Sequence, residues 1–437
     1  MTAEIAVFNN SSIALAADSA VTTGINNKVK IYNSAEKLFE LSKHHPVGAM
    51  IYNNATICSA PWELVIKSYR KQLKDTYFDH LDGYVNDFFT FLSTNKDIIS
   101  DDIRNQALHF FYIGELQALI KETNDIDIVT FMQLHKVEPL FDVFYQYLSI
   151  RIDAKINILL SSDYLEGFSV LDENLIGDDI RADSENIAKI IVPNDPSTDF
   201  PQEILQKITK LFTLLTCKIS DSNSFTGVVF AGYGENDYYP SVKTIHTYGI
   251  YNDRVLYYID KSKTFENKMH QSGIIPFAQE EEVVSFIEGC NRSIASFTET
   301  LVSEVINRAK GFVDDEILAK LNDEELRKSI IDQSSTLWPQ LSADFSHKRN
   351  NFVRENQVDK VTSMLDSLSK NDLAYMAESL VNITAFKRKV SNEHDTVGGP
   401  IDVAVISKGD GFIWVRRKHY FKSDLNHNFF SRNNTHN

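Results

Sequence analysis

The sequence predicts an α+β protein in which strand blocks and helix blocks segregate along the chain instead of alternating one by one. Three observations predict it. Short apolar runs bounded by turn residues fill residues 1–60, 227–260 and 402–415, and apolar residues at helical spacing fill most of the rest. Only 17 Gly and 10 Pro occur in 437 residues, which favours long regular elements. Hydrophobic residues make up 43 % of the chain, enough for a sizeable packed core and too much for wholesale disorder.

The elements follow in order. Ile5–Phe8 and Ile13–Ala17 are short strands joined by the turn-forming run Asn9–Ser12, and so predict a hairpin. Lys37–Leu41 and Val47–Ile51 predict a second pair around a turn at Lys43–Pro46. From Pro61 the spacing of Leu64, Tyr69, Leu73 and Tyr77 becomes helical. Ser100 precedes Asp101-Asp102-Ile103 as an N-cap, and more helix runs through Leu140–Ile152. Residues 160–198 are polar and acidic and read as irregular structure or a linker; a helix follows over Gln202–Cys217. Strands return at Gly227–Tyr233, Ser241–Gly249 and Val255–Asp260. Helix is expected from Glu280 to Lys370, interrupted near Leu337-Trp338-Pro339, and again over Asp372–Lys389 with Asn371 as its cap. Asp402–Lys408 and Gly411–Val415 flank Gly409-Asp410, a hairpin-turn signal. The polar tail after Lys422 reads as disordered.

Composition removes several function classes. A net charge of −16 repels nucleic-acid phosphates and anionic lipid. The short basic clusters Lys387-Arg388-Lys389 and Arg416-Arg417-Lys418 read as solvated flanks of hydrophobic segments, so no nucleic-acid partner is expected. No run approaches the roughly 18 apolar residues that span a bilayer, and the first residues lack the basic region of a signal peptide. The expectation is a cytoplasmic protein with no membrane partner. Cys58, Cys217 and Cys290 are scattered and read as small buried apolar residues. The 12 His show no ligand spacing, so no metal or other cofactor is expected.

The chemistry starts at Thr2. A threonine whose own α-amine is free can use that amine as general base, since its unperturbed pKa is about 8. Removal of Met1 would free it. The ordinary reading stays open at this point, because many cytosolic proteins begin Met-Thr for no catalytic reason.

Asp18 stands sixteen residues after Thr2, inside Ala16-Ala17-Asp18-Ser19, and Lys37 opens Lys37-Leu38-Phe39-Glu40-Leu41. With these residues the segment from Thr2 to Ile51 resembles the opening of proteasome β-subunits and their bacterial peptidase relatives, which are N-terminal-nucleophile (Ntn) hydrolases. The resemblance implies Thr2 as nucleophile, Lys37 as the cation that favours the alkoxide-like transition state, and Asp18 as its partner. Lys28 and Lys30 compete with Lys37 but are placed in a loop. Ordinary alternatives are a turn residue for Asp18 and a strand-edge charge for Lys37.

The likeness returns in the helix Asp372–Lys389, the loop Ser391–Thr396 and the run Val397-Gly398-Gly399-Pro400-Ile401-Asp402-Val403. The family's loop supplies an Asp and a Ser near the threonine amine. Here His394 aligns with that Asp, Asp395 is the nearest acid, and Val397 stands in place of the Ser. Gly398-Gly399 also suits a tight bend before a buried strand. Gly273–Gln279 occupies the place of a serine-containing loop, with Ala278 where the serine would be. Tyr52 replaces the Gly whose backbone amide forms the oxyanion hole; its own N–H could still donate. Val21, Thr22 and Met50 would line an apolar substrate pocket.

What the resemblance implies overall is a four-layer αββα Ntn sandwich with large helical insertions. Its core would comprise residues 1–60, 201–289 and 371–422, with insertions at 61–200 and 290–370 and a tail at 423–437. The implied activity is a threonine-type hydrolase cleaving peptide or other amide bonds in a peptide or protein substrate. The competing reading is a catalytically inactive scaffold or interaction protein with the same fold; a hydrolase of a small amide or amidine is a third. A homo-oligomer and a separate unfolding ATPase are the partners the family implies.

Overall fold

The computed structural model describes residues 3–25, 28–137, 140–194, 199–266, 272–391, 397–428 and 431. Its strands are β1 (Glu4–Phe8), β2 (Ser12–Ala17), β3 (Val21–Ile25), β4 (Lys28–Tyr32), β5 (Leu38–Glu40), β6 (Val47–Tyr52), β7 (Thr56–Ile57), β8 (Ala60–Pro61), β9 (Thr226–Gly232), β10 (Ser241–Tyr251), β11 (Arg254–Ile259), β12 (Phe265–Glu266), β13 (Gly273–Ala278), β14 (Asp402–Ser407) and β15 (Gly411–Arg416). Its α-helices are α1 (Trp62–Leu73), α2 (Leu81–Thr94), α3 (Asp101–Glu122), α4 (Val129–His135), α5 (Phe141–Ser161), α6 (Val170–Asp179), α7 (Arg181–Ile191), α8 (Gln202–Cys217), α9 (Glu281–Glu288), α10 (Arg292–Phe312), α11 (Glu324–Val353), α12 (Asp359–Leu365) and α13 (Lys370–Val390). The chain is α+β, as its segregated blocks predict, and it divides into two compact units.

The first unit comprises Met1–Ala35, Asn267–Val405 and Ile413–Asn437. Its sheet has the order β13-β1-β2-β14-β15. β1 and β2 pair antiparallel from Glu4↔Ala17 to Phe8↔Ile13. Every residue of both strands is buried, which explains their nearly unbroken apolar runs. Helix α13 lays Leu373, Ala377, Leu380 and Val381 on Ile5, Val7, Ala14 and Ala16. The turn between the strands is built by Asn9, whose Oδ1 accepts the N–H groups of Ser11 (3.0 Å) and Ser12 (3.2 Å). Its Nδ2 donates to the carbonyls of Leu365 and Leu368, both at 3.0 Å.

The second unit comprises Glu36–Glu266 and Ile406–Phe412. Its sheet has the order β11-β10-β9-β6-β5, antiparallel throughout, with β12 added on β10. Trp62, Val65, Ile66 and Tyr69 of α1 and Phe88 and Phe89 of α2 pack on Ile51, Val228, Phe230 and Ile245 of that sheet. A second core joins α3, α5, α6, α7 and α8 around Leu148, Ile208, Leu211 and Phe212.

Several expectations are corrected. The stretch 160–198 is not a linker over its middle, since Val170–Asp179 and Arg181–Ile191 are α6 and α7; residues 195–198 lie outside the described residues. Ser169 and Asp172 form a reciprocal capping box that starts α6, Ile187 and Ala188 bury one face of α7, and Asp178, Asp179 and Asp183 lie on the exposed sides of the two helices. Lys28 and Lys30 lie on a strand, not in a loop, because β3 and β4 pair as a hairpin. Gly273–Gln279 is mostly strand, since β13 takes backbone pairing along the free edge of β1. Pro339 does not interrupt α11, whose 30 residues carry one missing backbone donor. The cap of α13 is Ser369, not Asn371; Ser369 and Asp372 make a capping box that starts the helix two residues earlier. Ser100 does cap α3, but without a side-chain hydrogen bond. Cys290 is only half-buried, following the left-handed Gly289 that ends α9, whereas Cys58 and Cys217 are buried. Ser423–Leu425, in the tail expected to be disordered, form a 3₁₀ turn.

Candidate active site

Within the first unit, Asp18 is the organising residue. It follows β2 directly and is fully buried. Its backbone N–H donates to the Ala3 carbonyl at 3.1 Å, one rung beyond the strand pair. Its Oδ1 accepts the Ala3 N–H at 3.1 Å. Its Oδ2 accepts the N–H groups of Ala20 at 3.2 Å and Gly398 at 2.9 Å. A carboxylate is acceptor-only, so three backbone donors on two oxygens satisfy a group that would be costly to bury alone. The result ties the residue next to Thr2 to the loop that precedes β14.

Ser19 strengthens the tie. Its N–H donates to the Gly398 carbonyl at 3.2 Å, and its hydroxyl donates to the Pro400 carbonyl. Gly399 adopts φ +78°, and a Cβ there would lie 2.9 Å from Asn33 Cβ and 3.3 Å from Ser19 Cβ. Gly398, by contrast, has open space where its side chain would go. Only the second glycine of the pair is required by geometry. Val397 is buried in the core beside α13. Thr2, His394 and Asp395 lie outside the described residues. Val21 is half-buried at the start of β3, and Thr22 is on the same strand.

In the second unit, Lys37 precedes β5 and is 3 % exposed. Its carbonyl accepts the Ile51 N–H at 2.9 Å. Met50 is fully buried on β6 opposite Leu38. Tyr52 ends β6 opposite Gly227, and its ring lies over that glycine: a Cβ on Gly227 would fall 2.0 Å from the ring.

The Tyr52 hydroxyl meets His246 Nε2 at 2.6 Å, and the Tyr258 hydroxyl meets His246 Nδ1 at 2.6 Å. Phe225 stacks on the imidazole with ring centroids 4.2 Å apart, and Asp260 Oδ2 lies 3.7 Å from Nε2. Burial pushes the His246 pKa down to about 4; Asp260 opposes this and Lys263 adds to it. The ring is therefore neutral at pH 7, with one donor and one acceptor. One tyrosine must donate to it and the other must accept from it.

No local pattern in the sequence marks His246, Tyr258 or Phe225. Tyr52 at the end of one apolar strand, together with Gly227 in another, is the available signal, because a ring needs a neighbour without a side chain. The register that joins them needs the folded sheet.

Burial holds the Cys58 thiol up at about 11 and the Cys217 thiol at about 12, which suits structural rather than nucleophilic cysteines. Among the described residues no three or more His, Cys, Asp and Glu side chains gather as a metal-ligand set, and no helix is long and apolar enough to cross a membrane. No protein-family model matches the chain, and no curated protein matches it.

Proposed function

We propose that this chain is a proteasome-type threonine hydrolase that cleaves amide bonds with Thr2 as nucleophile. The observation that carries the reading is the buried Asp18 carboxylate, bonded to the N–H of Ala3 and to the N–H of Gly398. That pairing sets the residue following Thr2 in a defined place, as a nucleophile at a chain start requires. The same reading takes the fold as the αββα sandwich of the Ntn superfamily. Its support is an apolar, multi-stranded sheet in each unit, one covered by α13 and the other by α1 and α2.

The reading requires a free Thr2 α-amine. The amine takes the hydroxyl proton as Thr2 Oγ adds to the substrate carbonyl; the proton then passes to the departing amine as the C–N bond breaks, leaving an ester on Thr2. Water, deprotonated by the same amine, releases the acid and restores the hydroxyl. The resemblance assigns the role of cation to Lys37 and that of oxyanion donor to the Tyr52 N–H.

A second reading, an inactive scaffold, is favoured by Val397 and Ala278. The first is a buried apolar residue and the second a strand residue at places where the family carries serine. A peptide epoxyketone separates the two readings, since it forms a ring only with a free N-terminal threonine. Labelling of the wild type but not of Thr2→Ala, with a mass lacking Met1, supports the hydrolase. Retained Met1, or no labelling across varied peptide sequences, supports the scaffold.

A further inference from the structure

Helices α10 and α11 form a hairpin within the first unit. Arg349 near the end of α11 donates to the Ala295 carbonyl at 3.2 Å and pairs with Glu299 at 3.0 Å near the start of α10. Neither helix contains a fully buried residue.

At about 100° per residue, the apolar residues of α10 cover about half of its circumference. Ala295, Val302 and Ile306 are half-buried and mark the side that meets α11. Ile294, Phe297, Leu301, Val305 and Phe312 make up the other side and are 43–66 % exposed. On helix α11, Trp338 and Phe345 are half-buried, whereas Leu326, Leu337 and Leu341 form a stripe that is 42–50 % exposed; Ile331 and Phe352 are exposed outside that stripe. By helical geometry the two exposed stripes fall on the same side of the hairpin. Two helices bury one seam between them; a wide apolar stripe on each needs a further layer.

The charges on this face point to its occupant. Glu304 and Arg308 sit one turn apart at the rim of the exposed α10 stripe, and neither has an ion partner among the described residues. An antiparallel two-fold axis passing near residue 306 brings each Arg308 opposite Glu304 of a second copy. The same axis brings Phe312 opposite Leu301 of that copy. Charge and apolar pattern are thus both self-complementary, as an isologous contact requires.

We propose that this face joins two copies of the chain, hairpin against hairpin, as an antiparallel four-helix bundle. The eight exposed side chains present on the order of 800 Å² per copy, the size of a stable interface. The contact is independent of the hydrolase reading.

Sedimentation of the full-length chain tests it. The wild type self-associates, and Leu301→Asp with Phe312→Asp weakens association on the order of 100-fold or more. Both positions are exposed, and circular dichroism checks that the variant keeps its helices. Arg308→Glu alone weakens association about tenfold, and adding Glu304→Arg on the same chain restores it. A wild type that stays monomeric at every concentration overturns the proposal. So does an assembly whose mass and affinity survive the double Asp variant. A charge swap without recovery overturns the antiparallel pairing.

Discussion

Ala3 and Asp18 hold each other by two hydrogen bonds of 3.1 Å: the Asp18 backbone N–H donates to the Ala3 carbonyl, and the Ala3 N–H donates to the Asp18 carboxylate. The β1–β2 ladder is thereby extended by one rung in which a side chain replaces a backbone acceptor. The other carboxylate oxygen reaches Gly398, 380 positions away in sequence.

Asp18→Asn places an amide NH₂ where only acceptors fit. With three backbone donors converging, at least one donor then faces a donor. We expect a loss of about 2–4 kcal/mol in stability, by the cost of unsatisfied buried partners of a charged group. Urea denaturation measures it, and a variant as stable as the wild type would contradict the geometry.

Gly399→Ala and Gly398→Ala form a contrasting pair. The first meets both a left-handed φ and atoms at 2.9 Å, and should cost about 2–4 kcal/mol. The second meets open space, keeps its N–H for Asp18, and should change stability by less than about 1 kcal/mol. Equal midpoints for the two variants would refute the close approach to Asn33.

His246 predicts a pH dependence. Tyr52, Tyr258, Asp260, Phe225 and Lys263 surround it, and its folded pKa is about 4 against an ordinary 6.5. Between these values the unfolded chain binds the proton that the folded chain refuses, so stability rises with pH. The contribution is fully present above 6.5 and is lost as pH falls toward 4, by about 3 kcal/mol. His246→Gln, neutral at every pH, should lack this part of the acid loss. Parallel stability–pH curves for the two proteins would count against it.

The sequence was most informative where local patterns suffice. The β1–β2 hairpin, the helix α8 and the β14–β15 pair were legible because turn residues and apolar runs specify them within a few residues. It was least informative where composition misled. The acidic residues of 160–198 suggest a linker, yet those of 170–191 lie on helices whose buried faces are only a few residues wide. Pro339 suggested a break, yet one lost backbone bond does not end a 30-residue helix.

The amino-acid order alone determined that Asp18 follows a buried strand, that Lys37 stands just before another, and that Gly398-Gly399 precedes a third. These are local facts of spacing. Tertiary structure decided that Asp18 closes on both Ala3 and Gly398, that Gly399 and not Gly398 needs to be glycine, and that Tyr52 lies over Gly227 against His246. Such pairings depend on strand register and on chain returning from hundreds of residues away. No local pattern encodes them, because register is set jointly by every side chain that the sheet must bury.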